Sequence, residues 1–263
     1  MIPAHPLRDA RTVRPAPGSS WLRVFVPRPA ARLRLFCFPH AGGSAAAFRR
    51  LAEIAPDTVE VTAVQYPGRQ DRFTDPHPDS LVALAAETAE AIAPRLDRPA
   101  AFLGHSMGGT VAFEAIRRLR PHHPNAVVRL FASARKPPQA DFSQSLRFRD
   151  DEDAMAYVRA LGGTGARLLE DPELRELALP ALRADFRLIE TYRFVAGAPL
   201  TCPITVVVGD SDGSCTLTDA QGWARHTVAG HDAEALPGGH FYLETAPERL
   251  LALLLHRLST ELR

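Results

Sequence analysis

Apolar positions along the chain alternate between two patterns. Short, nearly continuous apolar runs read as strands buried on both faces: LRLFCF (33–38), VEVTAVQY (59–66), AAFLG (100–104), AVVRLFAS (126–133) and PITVVVGD (203–210). Longer stretches carry apolar residues at helical spacing: AAAFRRLAEIA (45–55), SLVALAAETAEAIAPRL (80–96), MGGTVAFEAIRRLR (107–120) and APERLLALLLHRL (246–258). Ser80 stands where an N-cap belongs. A last, weaker strand is expected within HTVAGHDAEALPGG (226–239). Strands that alternate with helices predict an α/β fold, a mostly parallel sheet with helices on both faces. Right-handed crossovers then bring every strand C-terminus to one edge.

Residues 136–196 break this rhythm. They open on KPPQ and continue with the helical patterns DEDAMAYVRAL and DPELRELALPALRADFRLIETYRF, without a strand signal. The segment is expected to be a helical lid inserted between two halves of the core, 21–135 and 197–263, lying over the active edge. Gly162, Gly163 and Gly165 inside it mark a bend or, more simply, a helix-ending turn. Residues 1–20, rich in Pro and Arg, read as a disordered leader; they have no apolar core of signal-peptide type.

Composition removes several function classes. The formal net charge is +1, which makes no case for nucleic acid. Lys136 is the lone lysine among 31 basic residues, a bias that reflects a G+C-rich genome before it reflects recognition. Cys37, Cys202 and Cys215 have no CxxC spacing, which argues against both a disulfide framework and a zinc site. No apolar run is long enough for a membrane helix, and a cytoplasmic monomer is the expectation.

The chemistry concentrates at Gly104-His105-Ser106-Met107-Gly108. A strand precedes this G-x-S-x-G and a helix follows it, as a nucleophile elbow requires; the alternative is a Gly-rich β–α turn. A serine nucleophile needs a base, and the base needs an orienting carboxylate, in the chain order Ser, acid, His. GDSDGS supplies Asp210 and Asp212 after a strong strand, and LPGGHFYL supplies His240 before the last helix. Asp212 is favoured because it reaches further into the loop, while Asp210 at the strand end suits a turn brace. His105 should point away from the emerging hydroxyl, and His122, His123, His226 and His231 read as surface residues. The oxyanion hole takes one N–H from Met107 and one from PHAGGS (39–44), where Ala41 is the chosen donor; His40 beside it reads as structural or lid-contacting.

Taken together, FCFPHAGGS, YPGR, GHSMGG, LRADFRLIETYRF, CPITVVVGDSD and LPGGHFYL resemble the stand-alone type II thioesterases of polyketide and nonribosomal peptide synthesis, over roughly residues 21–260. The resemblance implies an α/β-hydrolase fold and hydrolysis of acyl groups from the phosphopantetheine arm of an acyl or peptidyl carrier protein. It places the triad on Ser106, Asp212 and His240 and the oxyanion donors on Ala41 and Met107, with no metal or organic cofactor. One departure is Gly213, where the family has proline after the triad aspartate. The rival readings are a small-molecule esterase or lipase on the same fold, a non-catalytic carrier-binding hydrolase fold, and an excised terminal domain that cyclises chains. Met155, Leu161, Leu168, Leu169 and Phe186 are expected either to line an acyl pocket or to pack the lid.

Overall fold

The computed structural model describes residues 20–140 and 148–262, with the backbone alone at 167 and 168. The expected leader lies outside the described residues, Ser20 excepted. A seven-stranded sheet forms the centre, in the order β1-β3-β2-β4-β5-β6-β7. Its strands are β1 (Leu22–Arg23), β2 (Leu33–Phe38), β3 (Val59–Val64), β4 (Ala100–His105), β5 (Val127–Ser133), β6 (Ile204–Gly209) and β7 (His231–Leu236). All neighbouring pairs are parallel except the edge strand β1, which runs antiparallel to β3 through Leu22↔Val64 and Arg23↔Ala63.

The continuous apolar runs follow from burial on both faces. On β2, Leu33, Leu35 and Cys37 turn to the face covered by α1 (Arg49–Ile54) and the closing helix, through Leu51, Leu250 and Leu254. Phe36 and Phe38 turn to the opposite face, covered by α2 (Leu81–Ile92) and α3 (Met107–Leu119) through Leu84, Val111 and Ile116. Each of these large side chains contributes roughly 1.5–3 kcal/mol when fully buried, so a register slip on either face would be costly. Ser80 caps α2 as its sequence position predicts, its hydroxyl accepting from Ala83 N–H at 3.1 Å. Two expected helices are shorter. Residues 45–48 form a 3-10 turn ahead of α1, and α2 gives way at Ile92 to a 3-10 turn holding Pro94, which has no N–H to continue an α-helix.

The strand order sets the location of the site. β2 and β4 are neighbours, with Phe38 opposite Gly104. From β2 the chain returns along one face through α1 to β3; from β4 it returns along the other through α3 to β5. The loops leaving these two strands therefore part at the C-terminal edge and leave a crevice between them.

Between β5 and β6 the described residues hold three helices: α4 (Asp151–Leu161), α5 (Gly163–Leu168) and α6 (Pro172–Thr191). Asp150 caps α4 through Asp153 N–H at 3.0 Å, and Asp171 caps α6 through Glu173 and Leu174 N–H. α4 ends at Gly162 in the left-handed region (φ 78°), the helix-ending turn. α6 stops at Thr191 rather than running on to Phe194. Tyr192 is extended, and its hydroxyl donates to Glu114 of α3 at 2.7 Å. The remaining helices are α7 (Leu217–Ala220), α8 (Tyr242–Thr245) and α9 (Pro247–Arg257). One reading is corrected: His226 is buried rather than on the surface. Its ring packs edge-on to Phe113, Phe194 and Trp223, and its Nε2 meets Gln139 Oε1. Polarity at one position does not reveal neighbours that come from α3 and from loops elsewhere in the chain. No helix among the described residues is long and apolar enough to cross a membrane.

Candidate active site

Ser106 joins β4 to α3 with φ 53° and ψ −121°, a conformation that costs on the order of 1–3 kcal/mol for a residue with a side chain. The neighbouring backbone holds it there: Ser106 N–H donates to Ser133 C=O at 2.8 Å, and Ser106 C=O accepts from Gly109 N–H at 2.9 Å. The flanking glycines are required by close approach. A Cβ on Gly104 would lie 2.2 Å from Gly108 O, and one on Gly108 would lie 2.1 Å from Phe38 O. The strain thus turns Ser106 out of the sheet edge and onto the wall of a cavity of about 300 Å³ that His240 also lines.

His240 is buried, and its Nδ1 lies 2.8 Å from Asp212 Oδ2. The other carboxylate oxygen, Oδ1, accepts from Ser214 N–H at 2.8 Å and Ser214 Oγ–H at 2.6 Å. Burial alone would push the Asp212 carboxyl up, but the bonds from His240 and Ser214 outweigh it and hold the carboxyl below its ordinary value. Asp210 behaves differently. It is exposed and braces the turn, its Oδ1 accepting from Gly238 N–H at 3.0 Å and Ser211 Oγ–H at 2.9 Å. With Nδ1–H given to Asp212, Nε2 of His240 is the ring's acceptor. It is buried and hydrogen-bonded to no described residue, Ser106 included.

Two further imidazoles crowd this pair. His105 lies within the sheet, with Nδ1 2.8 Å from Ser133 Oγ, which in turn meets the Tyr242 hydroxyl. Its ring centroid is 5.2 Å from that of His240. Burial, reinforced by His240 and His40, holds His105 well below the usual histidine range. His40 lines the cavity with its ring 4.8 Å from Phe241, and burial followed by His240 lowers it to about 4. Both rings are therefore neutral at pH 7 and add no positive charge beside His240.

The loop after β2 completes the site. Gly42 N–H donates to Asp185 Oδ2 at 2.7 Å and Gly43 N–H to His40 C=O at 2.9 Å. Among the described residues, Ala41 N–H and Met107 N–H donate to no acceptor. Met107 N–H stands at the first turn of α3, where a helix leaves its amides unpaired. Of the expected lid residues, Leu161, Leu169 and Phe186 line the cavity, whereas Met155 is buried away from it in the core. The Leu168 side chain lies outside the described residues. Ser214 and Asp185 escaped the sequence reading. A serine two residues after an aspartate is the sign of a local side-chain turn and was available for Ser214. Nothing local marks Asp185.

The comparisons agree with this architecture. The family model "Thioesterase domain" matches residues 33–258. Thioesterase PikA5 of Streptomyces venezuelae is 42% identical over 224 residues, covering 85% of this chain and 80% of the relative. The type II thioesterase BorB from the borrelidin biosynthetic cluster superposes with a TM-score of 0.82 at 36% identity, covering 93% of this chain and 98% of that one. RedJ, the thioesterase of the prodiginine pathway in Streptomyces coelicolor, does so at 0.79 and 34% identity, covering 87% of each chain. A strained serine at the sheet edge, a carboxylate-held histidine on the same cavity and these matches over most of the chain lead to one conclusion: the chain belongs to the thioesterase family, and it is a serine hydrolase acting on thioesters.

Proposed function

We propose that the chain removes acyl groups from the phosphopantetheine thiol of acyl or peptidyl carrier proteins, clearing stalled or misprimed chains during polyketide or nonribosomal peptide synthesis. Ser106 is the nucleophile, His240 the base, Asp212 its orienting carboxylate, and Ala41 and Met107 N–H the oxyanion donors. The observation that carries the reading is the 2.8 Å Asp212–His240 bond, which leaves Nε2 as an uncommitted acceptor on the cavity that Ser106 lines. The likeness to BorB of the borrelidin cluster and RedJ of the prodiginine pathway supports the pathway class.

In the first half-reaction, Ser106 Oγ attacks the thioester carbonyl while its proton passes to His240 Nε2. Negative charge on the carbonyl oxygen is met by the two backbone N–H groups. The C–S bond breaks, the pantetheine sulfur takes the proton from the imidazolium, and an acyl-Ser106 remains. In the second, water gives a proton to Nε2 and attacks the ester; Ser106 leaves with that proton and the free acid departs. Asp212 stays ionised throughout, holding the tautomer and stabilising the imidazolium. Neither a metal nor an organic cofactor enters these steps. Residues 136–196 act as a lid, with Leu161, Leu169 and Phe186 against the acyl chain. The protein works as a cytoplasmic monomer.

The test is a panel of short- and long-chain acyl carriers followed by intact-mass spectrometry, with wild type and Ser106→Ala side by side. Loss of acyl mass with wild type alone supports the reading. Rapid cleavage of p-nitrophenyl butyrate with every acyl carrier untouched would replace it with a small-molecule esterase.

A further inference from the structure

Helix α6 presents Leu182, Asp185, Phe186 and Ile189 along one face, and all four are buried. Leu182, Phe186 and Ile189 line the cavity. Asp185 is a carboxylate in the middle of this apolar stripe, 1% exposed. A buried charge persists only where donors converge on it, and three bonds do so here. Arg69, in the YPGR turn after β3, meets it with both arms of the guanidinium: Nη1 to Oδ2 at 2.6 Å and Nη2 to Oδ1 at 2.9 Å. The third bond is the Gly42 N–H already described, 2.7 Å from Oδ2. The same Nη1 of Arg69 also donates to Gly43 C=O at 3.0 Å, while Nε donates to Pro67 C=O at 3.1 Å.

One ion pair therefore grips two consecutive residues of the loop after β2, by the N–H of Gly42 and the C=O of Gly43. Gly43 N–H is spent on His40, while the N–H of Ala41, next in the chain to the gripped Gly42, donates to no acceptor among the described residues. Gly42 sits at φ +71°, and a Cβ there would come within 2.9 Å of Leu182 Cδ1, so loop and helix are in direct contact. A buried ion pair contributes little net stability compared with apolar residues of the same volume, so its value is better sought in what it orients.

We infer that Asp185, braced by Arg69, is a positioning residue for the oxyanion hole: by holding Gly42 N–H from helix α6 it sets the orientation of the adjoining Ala41 N–H, and so couples the seating of the helical insertion to turnover. This rests on the proposed role of Ala41 and on Ser106 as nucleophile. With α6 seated, the loop has its acceptor and the hole is formed. With α6 displaced, Gly42 N–H loses its partner and the loop is free to rotate.

The test uses full-length enzyme and three variants: Ser106→Ala, Asp185→Ala and the apolar pair Arg69→Met/Asp185→Leu, which keeps volume and leaves no uncompensated charge. Turnover of a short acyl carrier is measured together with inhibition by a trifluoromethyl ketone, which forms a tetrahedral oxyanion adduct, and by a non-hydrolysable pantetheine thioether. Removing one oxyanion donor costs about 10²–10³ in kcat, so loss of a positioning contact is expected to cost about 10–100-fold. KM and thioether binding are expected within about twofold of wild type, and ketone affinity is expected to fall in step with kcat. The apolar pair, folded by circular dichroism, must show the same split. A folded apolar pair with wild-type kcat, or a loss shared equally by thioether and ketone, overturns the inference while leaving Ser106 in place. If Ser106→Ala still turns over, the reading of the site fails, and the inference with it.

Discussion

The turn that carries Ser106 and the loop that carries Ala41 meet at one crevice but are built differently. The turn is shaped first by its neighbours in sequence, where Gly104 lets β4 fold tightly onto Gly108 and Gly109 of α3, and then closed by backbone alone, the Phe38 oxygen of β2 and the Ser133 C=O of β5. The loop is fixed from afar, by Arg69 and by Asp185, which stands 143 positions from the Gly42 it holds. A local device tolerates no added atom. A long-range device tolerates local change but depends on elements that must arrive together.

The largest effect expected from this contrast is at Gly108. Gly108→Ala puts a Cβ 2.1 Å from a backbone oxygen that cannot turn aside, so the variant is expected in inclusion bodies or with Tm lowered by more than about 10 °C. In Gly43→Ala the nearest atoms to the new Cβ belong to the His40 ring, at 2.8 Å, and the variant is expected to keep Tm within about 5 °C. Differential scanning fluorimetry compares the two, and equal losses would abolish the distinction between hard and soft contacts.

Next are the groups proposed to react. Ser106→Ala is expected to lower acyl-carrier hydrolysis by about 10⁴-fold or more, with an unchanged far-UV spectrum. Asp212→Asn is expected to cost a similar 10⁴-fold, because the amide selects the wrong tautomer of His240, whereas Asp210→Asn is expected to stay within about threefold. If Asp210→Asn is the slower enzyme at equal Tm, the loop's two carboxylates have exchanged roles.

The helical insertion is expected to affect selectivity more than rate. Leu169 is 2% exposed and lines the cavity. Leu169→Trp is expected to lower kcat/KM for a long-chain carrier about tenfold or more, while an acetyl carrier falls less than about threefold. A proportional fall for both would move the selectivity determinant into the sheet.

The smallest effect is in the pH dependence of stability. His40 and His226 are each lowered by burial to about 4, with nearby positive charge adding to it, against 6.5 for a free ring. Between these values the unfolded chain binds protons that the folded chain refuses, so stability is complete above about 6.5 and falls as pH drops toward 4. His226→Phe removes one of these groups, His105 being another, and is expected to flatten Tm against pH in that window while leaving kcat at pH 8 within about twofold. An unchanged slope would assign the acid sensitivity to other groups.

Much of the core was legible because its signals are local. A strand buried on both faces must be apolar throughout, as in LRLFCF and ITVVVG, and a serine one residue before a helix can cap it, as Ser80 does. β1 was missed because two residues, Leu22 and Arg23, carry no periodicity; they are a strand only because Val64 and Ala63 lie beside them. Asp210 and Asp212 could be ranked but not decided, since two residues of loop conformation separate a turn brace from a partner of His240. The buried pocket of His226 was invisible for the same reason that Asp185 was: both depend on residues brought in by other elements.

By itself the sequence determined the alternation of buried strands and helices, the strained serine turn with its glycines, and the short set of residues from which a base, an acid and oxyanion donors could be drawn. Those features follow from interactions among near neighbours, where spacing and residue type suffice. The tertiary structure alone decided that β2 lies beside β4 and opens a crevice there, that Asp212 and not Asp210 reaches His240, and that a carboxylate on α6 holds the loop of Ala41. Each is a contact between groups far apart in the chain, and its geometry exists only once packing of the whole core has brought them together.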